Sequence, residues 1–306
     1  MGSCAQRKGI RMNKPVYKSE AGRNIVEAMY RDVLAAHSEY PFEQLFVTTD
    51  IAETHVLRFG DASKPPLVMI HGSLSNSAAW LGSISYFIND FCIYCVDIPG
   101  EPGLSEPVRC SLASDEPLMW LCSLLDRLGI DDVCLVTMSM GSWYGLNLLI
   151  HRPDRVRALS MITAGGIVPA KTSFIFKAIL YMMLGNLGQK MLNRAVYHKA
   201  EVPPEVLEFQ RITSMHFNPV IEALPIFSDD KLRAVTVPIQ YFGGDHDALL
   251  NSVKTGDRLN KLIPHADIHI LKDTGHVIID QFPLVKRFLL SRGRAIVMGT
   301  GLLTSF

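Results

Sequence analysis

The chain has 306 residues, which is long enough for one large domain that carries an inserted subdomain. Its 30 Lys and Arg residues balance its 30 Asp and Glu residues, and this balance excludes a net charge that would attract nucleic acid or an anionic membrane surface. A small neutral substrate fits the composition better.

The amino-terminal residues and the cysteines predict a cytoplasmic protein. Arg7, Lys8 and Arg11 are followed by mixed polar residues rather than by an apolar block, so we expect no secretory signal peptide. No stretch reaches the roughly 18 uninterrupted apolar residues of a membrane span. Most of the six cysteines lie in apolar runs, so we expect small buried thiols of a reduced compartment and no metal site.

Short runs of β-branched and aromatic residues alternate with helical patterns, which is typical of an α/β fold with a mainly parallel sheet and helices on both faces. The first two runs favour an antiparallel edge, whereas the later runs are almost unbroken apolar segments, as strands covered on both faces should be. The eight predicted strands span residues 45–49, 55–59, 66–70, 91–96, 133–137, 158–162, 239–242 and 268–271. The predicted helices include residues 116–128, 139–152, 254–262 and 283–290.

Between residues 164 and 235 the alternation stops and only helical patterns follow, one of them starting at Pro204. We interpret this segment as a helical cap inserted into a core of residues 45–163 and 236–292, with an extension at 1–44 and a tail at 293–306. Its apolar residues exceed what one packing face requires. These residues either pack the cap onto the core or line the substrate path. The candidates for lining are Phe176, Ile179, Leu180, Met182 and Met183, together with Leu74 outside the segment.

A serine stands where a buried strand meets a helix. The strand over residues 133–137 leads directly to Ser139, and a sharp turn there would lift its hydroxyl clear of the sheet and direct the N–H of Met140 toward a bound carbonyl oxygen. The customary pattern is G-x-S-x-G, and Thr137 replaces its first glycine. A β-branched residue there either tightens the turn or shifts the serine. The alternative interpretation is a serine that only caps the helix.

A second strand end carries His71 and Gly72. Gly72 lets the backbone turn so that the N–H of Ser73 points into the cavity as another oxyanion donor, with the N–H of Leu74 as the alternative. We expect His71 to be a hydrogen-bonded turn residue rather than a catalyst.

Two further strand ends supply an acid and a base. A glycine turn after residues 239–242 contains Asp245 and Asp247, and the loop after residues 268–271 contains His276. The chain order serine, aspartate, histidine is the order of a catalytic triad on an α/β sheet. The combination is far less expected by chance than any one of its members.

With these motifs, residues 45–290 resemble the α/β-hydrolase family. The stretch Asp-Ile-Pro-Gly-Glu-Pro-Gly-Leu-Ser is similar to that of bacterial carboxylesterase-like members. The resemblance implies that the acid is Asp247 rather than Asp245, and that the insertion after the sixth strand covers the active site. The segments that carry the resemblance are residues 71–72, 97–105, 139–141, 153–156, 244–247 and 275–276.

These roles predict a carboxylesterase that acts on a small apolar ester without a metal or an organic cofactor. His276 takes the proton of Ser139, which attacks the acyl carbon, and the N–H groups of Met140 and Ser73 hold the oxyanion. Asp247 keeps the imidazole in the required tautomer. Water activated by His276 then releases the acyl enzyme.

Other functions share parts of this constellation. Carbon–carbon bond hydrolases, thioesterases, lipases and cofactor-free haloperoxidases use the same triad, whereas dehalogenases and epoxide hydrolases are disfavoured because they place an aspartate where this chain has Ser139. A catalytically weak ligand-binding protein is the alternative outside enzymes, and reaction with a fluorophosphonate would distinguish the two. A nucleotide-binding domain would need a glycine-rich phosphate loop, which residues 71–75 lack.

Overall fold

A computed structural model of the chain describes residues 15–37, 39–171, 184–220 and 222–293. At its centre lies one eight-stranded sheet with the strand order β1-β2-β4-β3-β5-β6-β7-β8. The strands are β1 (Phe42–Thr48), β2 (Glu53–Phe59), β3 (Pro66–Ile70), β4 (Cys92–Val96), β5 (Val133–Met138), β6 (Val156–Ile162), β7 (Ile239–Gly244) and β8 (Asp267–Leu271).

The pairing of the strands confirms a mainly parallel sheet with an antiparallel edge. β1 pairs antiparallel with β2 and β2 with β4, and every other neighbouring pair is parallel. The predicted start of the first strand at residue 45 was wrong, since β1 begins at Phe42, opposite Phe59. The reason is a cross-strand ion pair between Glu43 and Arg58, which lets a polar residue extend the ladder.

Helices cover both faces of the sheet, as the sequence predicts. One face is packed by α3, α4 and α8, and the other by α1, α2 and α9, each group forming one apolar cluster with the strands. The helices are α1 (Glu20–Ala36), α2 (Ile84–Phe87), α3 (Glu116–Arg127), α4 (Met140–His151), α5 (Gly185–Tyr197), α6 (Pro204–His216), α7 (Asp229–Arg233), α8 (Ser252–Leu262) and α9 (Phe282–Gly293). Within the described ranges, no helix is both long and apolar enough to cross a bilayer.

The central strands are apolar on both sides because both sides are covered. In β3 the residues from Leu67 to Ile70 are fully buried, and β5 is buried from Val133 to Thr137. Cys92 and Cys95 on β4 belong to the clusters on opposite faces, so their thiols do not form a metal-binding pair.

The chain between β6 and β7 contributes α5, α6 and α7, and α6 begins at Pro204 as predicted. α6 packs on α1 through a small apolar cluster in which Tyr17 meets the Phe217 ring edge to face. The regular elements in the described parts of this segment are all helices, joined by turns and irregular stretches, and Phe217 forms a single bridge with Tyr17.

Candidate active site

Ser139 occupies a sharp turn between β5 and α4. Its backbone has φ 53° and ψ −114°, in a region that a residue with a Cβ adopts only where the surroundings enforce it. A Cβ at Gly141 would lie 2.3 Å from the carbonyl oxygen of Ile70, so only glycine lets α4 approach β3 this closely. The Ser139 side chain makes no capping hydrogen bond to α4, so the interpretation as a helix cap is wrong.

Thr137 tightens the packing behind this turn. Its Oγ1 lies 3.1 Å from Oγ of Ser142 and 3.3 Å from the carbonyl oxygen of Ser160, so its hydroxyl bridges α4 and β6. A Cβ at Gly145 would lie 2.9 Å from the Thr137 methyl group. Thr137 therefore fills the space between strand and helix, with its buried hydroxyl satisfied on both sides.

His276 lies on the loop after β8 and joins Ser139 to Asp247. Its Nε2 lies 3.1 Å from Oγ of Ser139, and its Nδ1 lies 2.9 Å from Oδ2 of Asp247. The backbone N–H of His276 donates to the carbonyl oxygen of Val196 at the end of α5. The structure thus brings the serine, the histidine and one carboxylate into a single hydrogen-bonded chain.

Asp247 is buried in the turn after β7, where four donors meet its carboxylate. Oδ1 accepts the N–H groups of Leu249 and Leu250, and Oδ2 accepts the hydroxyl of Ser252 beside the His276 ring. Burial by itself would raise the pKa of Asp247, but the charge and hydrogen bond of His276 and these other donors hold the pKa below its usual value. The carboxylate is therefore ionised beside the imidazole at neutral pH.

Asp245 lies two residues earlier and faces away from His276. Its Oδ1 lies 2.7 Å from Nδ1 of His246 and accepts the N–H of Thr274 at 3.2 Å. Its side chain is partly exposed, whereas that of Asp247 is buried. The position that contacts the histidine is the one that the resemblance to the α/β-hydrolases implies.

The loop after β3 passes directly over the serine. A Cβ at Gly72 would lie 3.1 Å from Cβ of Ser139, and Oγ of Ser73 lies 3.3 Å from Sδ of Met140. Ser73 and Met140 therefore flank Ser139. The N–H of Leu74 donates to Oε2 of Glu101 at 2.6 Å, so this alternative oxyanion donor is already occupied.

His71 is a turn residue with a defined tautomer. Its Nε2 accepts the backbone N–H of Ile98 at 3.0 Å, so the proton is on Nδ1, which lies 2.7 Å from the carbonyl oxygen of Gly72. Burial lowers the pKa of His71, which favours this neutral form. The imidazole thus fixes the loop, as the sequence analysis expects.

Two buried acids near the site were not assigned roles from the sequence. Asp97 accepts the backbone N–H groups of Ser77 and Leu104 and also bonds His55, and Glu101 binds Leu74. Both stand in the motif of residues 97–105 that carries the family resemblance. The sequence signal for such a role was an acidic residue in an otherwise apolar turn. The hydrogen-bond partners of these acids lie in other loops, and no spacing in the sequence identifies them.

The structure places only one of the six candidates for lining the substrate path. Leu74 is 44 % exposed in the loop after β3. The other five, Phe176, Ile179, Leu180, Met182 and Met183, lie outside the described residues.

One group of side chains in the described part of the chain has spacing suited to a metal ion. His198, His246 and Asp273 place one potential ligand atom each within 4.8 Å of one another, at the surface. Asp273 is already engaged by His198 and by the ammonium group of Lys199. Ser139, His276 and Asp247 are not part of this group.

Comparisons with known proteins place the chain in a family. Over 79 % of its length it is 27 % identical to the uncharacterized carboxylesterase nap of Bacillus subtilis, covering 83 % of that protein. It is 25 % identical to carboxylesterase YbfK of the same organism, over 81 % of this chain and 87 % of that protein.

The fold is shared as well. The solved structure of carboxylesterase CesB (YbfK) from Bacillus subtilis superposes with a TM-score of 0.78 at 22 % identity, over 90 % of this chain and 99 % of that chain. The model of the alpha/beta hydrolase family matches residues 67–285, which include all three members of the hydrogen-bonded chain. The protein therefore belongs to the alpha/beta hydrolase family.

Proposed function

We propose that the protein is a carboxylesterase that hydrolyses small apolar esters through an acyl enzyme on Ser139. The observation that carries this proposal is the continuous hydrogen-bonded chain from Oγ of Ser139 through His276 to Asp247. The relatives named as carboxylesterases, which align over about four fifths of the chain, support the reaction class.

Proton transfer follows from the tautomer of the histidine. Oδ2 of Asp247 accepts a hydrogen bond from Nδ1 of His276, so the lone pair of Nε2 faces the hydroxyl of Ser139. His276 takes the hydroxyl proton as Ser139 attacks the acyl carbon, and the ionised Asp247 stabilises the imidazolium that forms. The same proton then passes to the leaving alcohol.

The negative charge of the tetrahedral intermediate develops between the loop after β3 and the start of α4. We assign its stabilisation to the N–H groups of Ser73 and Met140, since both residues flank Ser139 and the N–H of Leu74 is engaged elsewhere. Met140 is the first residue of α4, so the helix dipole adds to this stabilisation. Each such donor contributes about 3 kcal/mol to catalysis.

We further propose that residues 164–235 form a cap over the core of residues 45–163 and 236–292. Three contacts support this arrangement. The carbonyl oxygen of Val196 accepts the N–H of His276, a Cβ on Gly275 would lie 2.9 Å from Cβ of His198, and the ammonium group of Lys171 contacts the carbonyl oxygen of Asp247. The insertion therefore touches both loops that carry the acid and the base.

We propose a cytoplasmic location for the enzyme. The cysteines within the described residues, Cys92, Cys95, Cys110, Cys122 and Cys134, are all free thiols. Free buried thiols are typical of a reducing compartment.

The function is tested with p-nitrophenyl esters and a fluorophosphonate probe. We expect the wild-type protein to hydrolyse the esters and to react with the probe at one serine. Ser139→Ala should fold normally, lose the label and lose roughly a million-fold in turnover, the scale seen when a member of a catalytic unit is removed. Ser214→Ala, at an exposed serine of α6, is the matched control and should keep both the labelling and the turnover of the wild type.

Esterase activity that persists in pure Ser139→Ala protein would contradict the assignment. A wild-type protein that reacts with the probe but cleaves only thioesters or carbon–carbon bonds would keep the nucleophile and change the reaction class.

A further inference from the structure

Two loops beside Ser139 are joined by four hydrogen bonds. We call residues 71–77, after β3, the serine loop and residues 97–105, after β4, the acidic turn. The bonds run from N–H of Ile98 to Nε2 of His71, from N–H of Leu74 to Oε2 of Glu101, from Nδ2 of Asn76 to the carbonyl oxygen of Pro102, and from N–H of Ser77 to Oδ1 of Asp97. The acidic turn is thus a scaffold for the serine loop.

The bond made by Glu101 falls at the most constrained point of the serine loop. Leu74 has φ 58°, in the left-handed region that is disfavoured for a residue with a Cβ. Its side chain is 44 % exposed, so its own packing contributes little to holding the backbone in this conformation. The 2.6 Å hydrogen bond to the Glu101 carboxylate is the contact that fixes the peptide between Ser73 and Leu74.

The acidic turn holds Glu101 rigidly through its backbone. The N–H of Glu101 donates to the carbonyl oxygen of Ile98 at 3.1 Å, and its own carbonyl oxygen accepts the N–H of Gly103 at 2.8 Å. The Glu101 side chain is therefore presented from a fixed point, and its carboxylate reaches the serine loop from a turn that is itself anchored to β4.

Glu101 is also an unusual acid to retain in a core. It is 3 % exposed, and among the described residues no Lys or Arg comes within ion-pair distance of it. Burial raises the pKa of Glu101 to about 7, although the N–H of Leu74 and the more distant charge of Arg109 act in the opposite direction. A buried carboxyl without a counter-ion destabilises a fold, so its hydrogen bond to the loop next to the nucleophile points to a role in that loop.

We propose that Glu101 is a positioning residue for the oxyanion hole, which withdraws the N–H of Leu74 from the cavity and holds the serine loop so that the N–H of Ser73 faces the substrate carbonyl oxygen. The inference rests on the proposed esterase function and extends it to a residue that does not touch the reacting atoms. Fixing the peptide after Ser73 fixes the ψ angle of Ser73 and hence the course of the loop over Ser139.

The test compares Glu101→Ala, Glu101→Gln and Glu106→Ala. Glutamine keeps an oxygen that accepts the N–H of Leu74, whereas alanine removes it. Glu106→Ala is the matched control, because the Glu106 carboxylate also accepts a backbone N–H, that of Glu53, on the far side of the same segment. For each protein, kcat and KM for p-nitrophenyl acetate and the inhibition constant of a trifluoromethyl ketone are measured. The ketone forms a tetrahedral adduct that carries an oxyanion.

We expect Glu101→Ala to lower kcat by about 30-fold or more with KM nearly unchanged, because a displaced donor is lost mainly from the transition state. Affinity for the trifluoromethyl ketone should fall by a similar factor. Glu101→Gln should stay within a few-fold of wild type, as should Glu106→Ala. A role limited to folding would change the thermal midpoint without this parallel loss in kcat and ketone affinity.

Three outcomes would overturn the inference while leaving the esterase function intact: Glu101→Ala as active as Glu106→Ala, Glu101→Gln as impaired as Glu101→Ala, or an effect on KM alone. If Glu101→Ala does not fold, Glu101→Asp serves instead, since its shorter side chain cannot reach Leu74, and it should lose activity that glutamine retains. A wild-type protein without esterase activity or fluorophosphonate labelling would instead contradict the proposed function.

Discussion

Oδ2 of Asp247 lies 2.9 Å from Nδ1 of His276, while Asp245, two residues away, is bound to His246 and to the N–H of Thr274. One carboxylate is thus aligned with the ring of the proposed base, and the other is held at the surface. Because the two acids have different partners, substituting each one in turn separates their contributions to kcat.

Asp247→Asn should lower kcat by on the order of ten-thousand-fold, because an amide in this position favours the wrong tautomer of His276. Asp245→Asn is the matched control and should lower kcat by less than about ten-fold, since it perturbs only the surface side of the turn. Steady-state rates with p-nitrophenyl acetate decide the matter. The opposite ranking of the two variants would move the acid to Asp245.

Thr137→Gly restores the first glycine of the customary pattern G-x-S-x-G and should destabilise the fold with little effect on catalysis. The change removes a buried methyl and a hydroxyl that bridges Ser142 and Ser160, and it adds backbone freedom to β5. We expect the free energy of unfolding to fall by about 2–4 kcal/mol, with kcat within a few-fold of wild type. Urea unfolding and ester hydrolysis measure the two effects.

Thr137→Ser keeps the hydroxyl and should lose only the part of this stability that comes from the methyl group. If Thr137→Gly instead loses kcat by more than a hundred-fold while remaining folded, Thr137 shapes the serine turn itself.

Asp97 should make the fold sensitive to acid. Burial alone would raise its pKa, but the hydrogen bond and charge of His55, together with the N–H of Leu104, lower the pKa from 3.8 to about 2. A lowered pKa means that the ionised carboxylate stabilises the folded state above pH 3.8. This stability is lost as the pH falls through about 2, and it amounts to on the order of 2 kcal/mol.

Urea unfolding of the wild type and of Asp97→Asn at several pH values measures this contribution. The difference in the free energy of unfolding between the two proteins should shrink by that amount from about pH 5 to about pH 2. Asp230→Asn, at a side chain that is 95 % exposed, should track the wild type throughout. A constant difference between wild type and Asp97→Asn would contradict the lowered pKa.

Substrate choice should depend on acyl chain length if the insertion lines the substrate path. Each buried CH₂ can contribute up to about 0.8 kcal/mol until the pocket is full, so kcat/KM should rise along a series of p-nitrophenyl esters and then fall abruptly. Phe176→Ala or Met183→Ala should move that break toward longer chains while acetate hydrolysis persists. Met119→Ala, at an exposed residue of α3, is the control.

A flat chain-length profile that no alanine substitution changes would mean that the insertion only covers the site. The positions to substitute in turn are Phe176, Ile179, Leu180, Met182 and Met183.

The sequence predicts the sheet and the grouping of Ser139, His276 and Asp247 because both follow from which segments form strands and from where each strand ends. Apolar runs give the central strands, and the carboxyl ends of parallel strands meet at one edge, which brings Ser139, Asp247 and His276 together. The predicted start of β1 was wrong because its first residues are strand only through their pairing with β2, which includes the ion pair between Glu43 and Arg58.

The choice between Ser73 and Leu74 as oxyanion donor illustrates what a sequence leaves open. It depends on the bond between Leu74 and Glu101, which are 27 positions apart in the chain and meet only because β3 and β4 are neighbours. Thr137 is similar, since its hydroxyl is satisfied by a carbonyl oxygen of β6 that no local pattern indicates.

The bond between the N–H of His276 and the carbonyl oxygen of Val196 makes the end of α5 part of the support of the imidazole. Any displacement of the end of α5 therefore also breaks a bond to the loop that carries His276. A substitution that shifts the end of α5 should thus disturb the hydrogen bonding of His276 without touching Ser139 or Asp247.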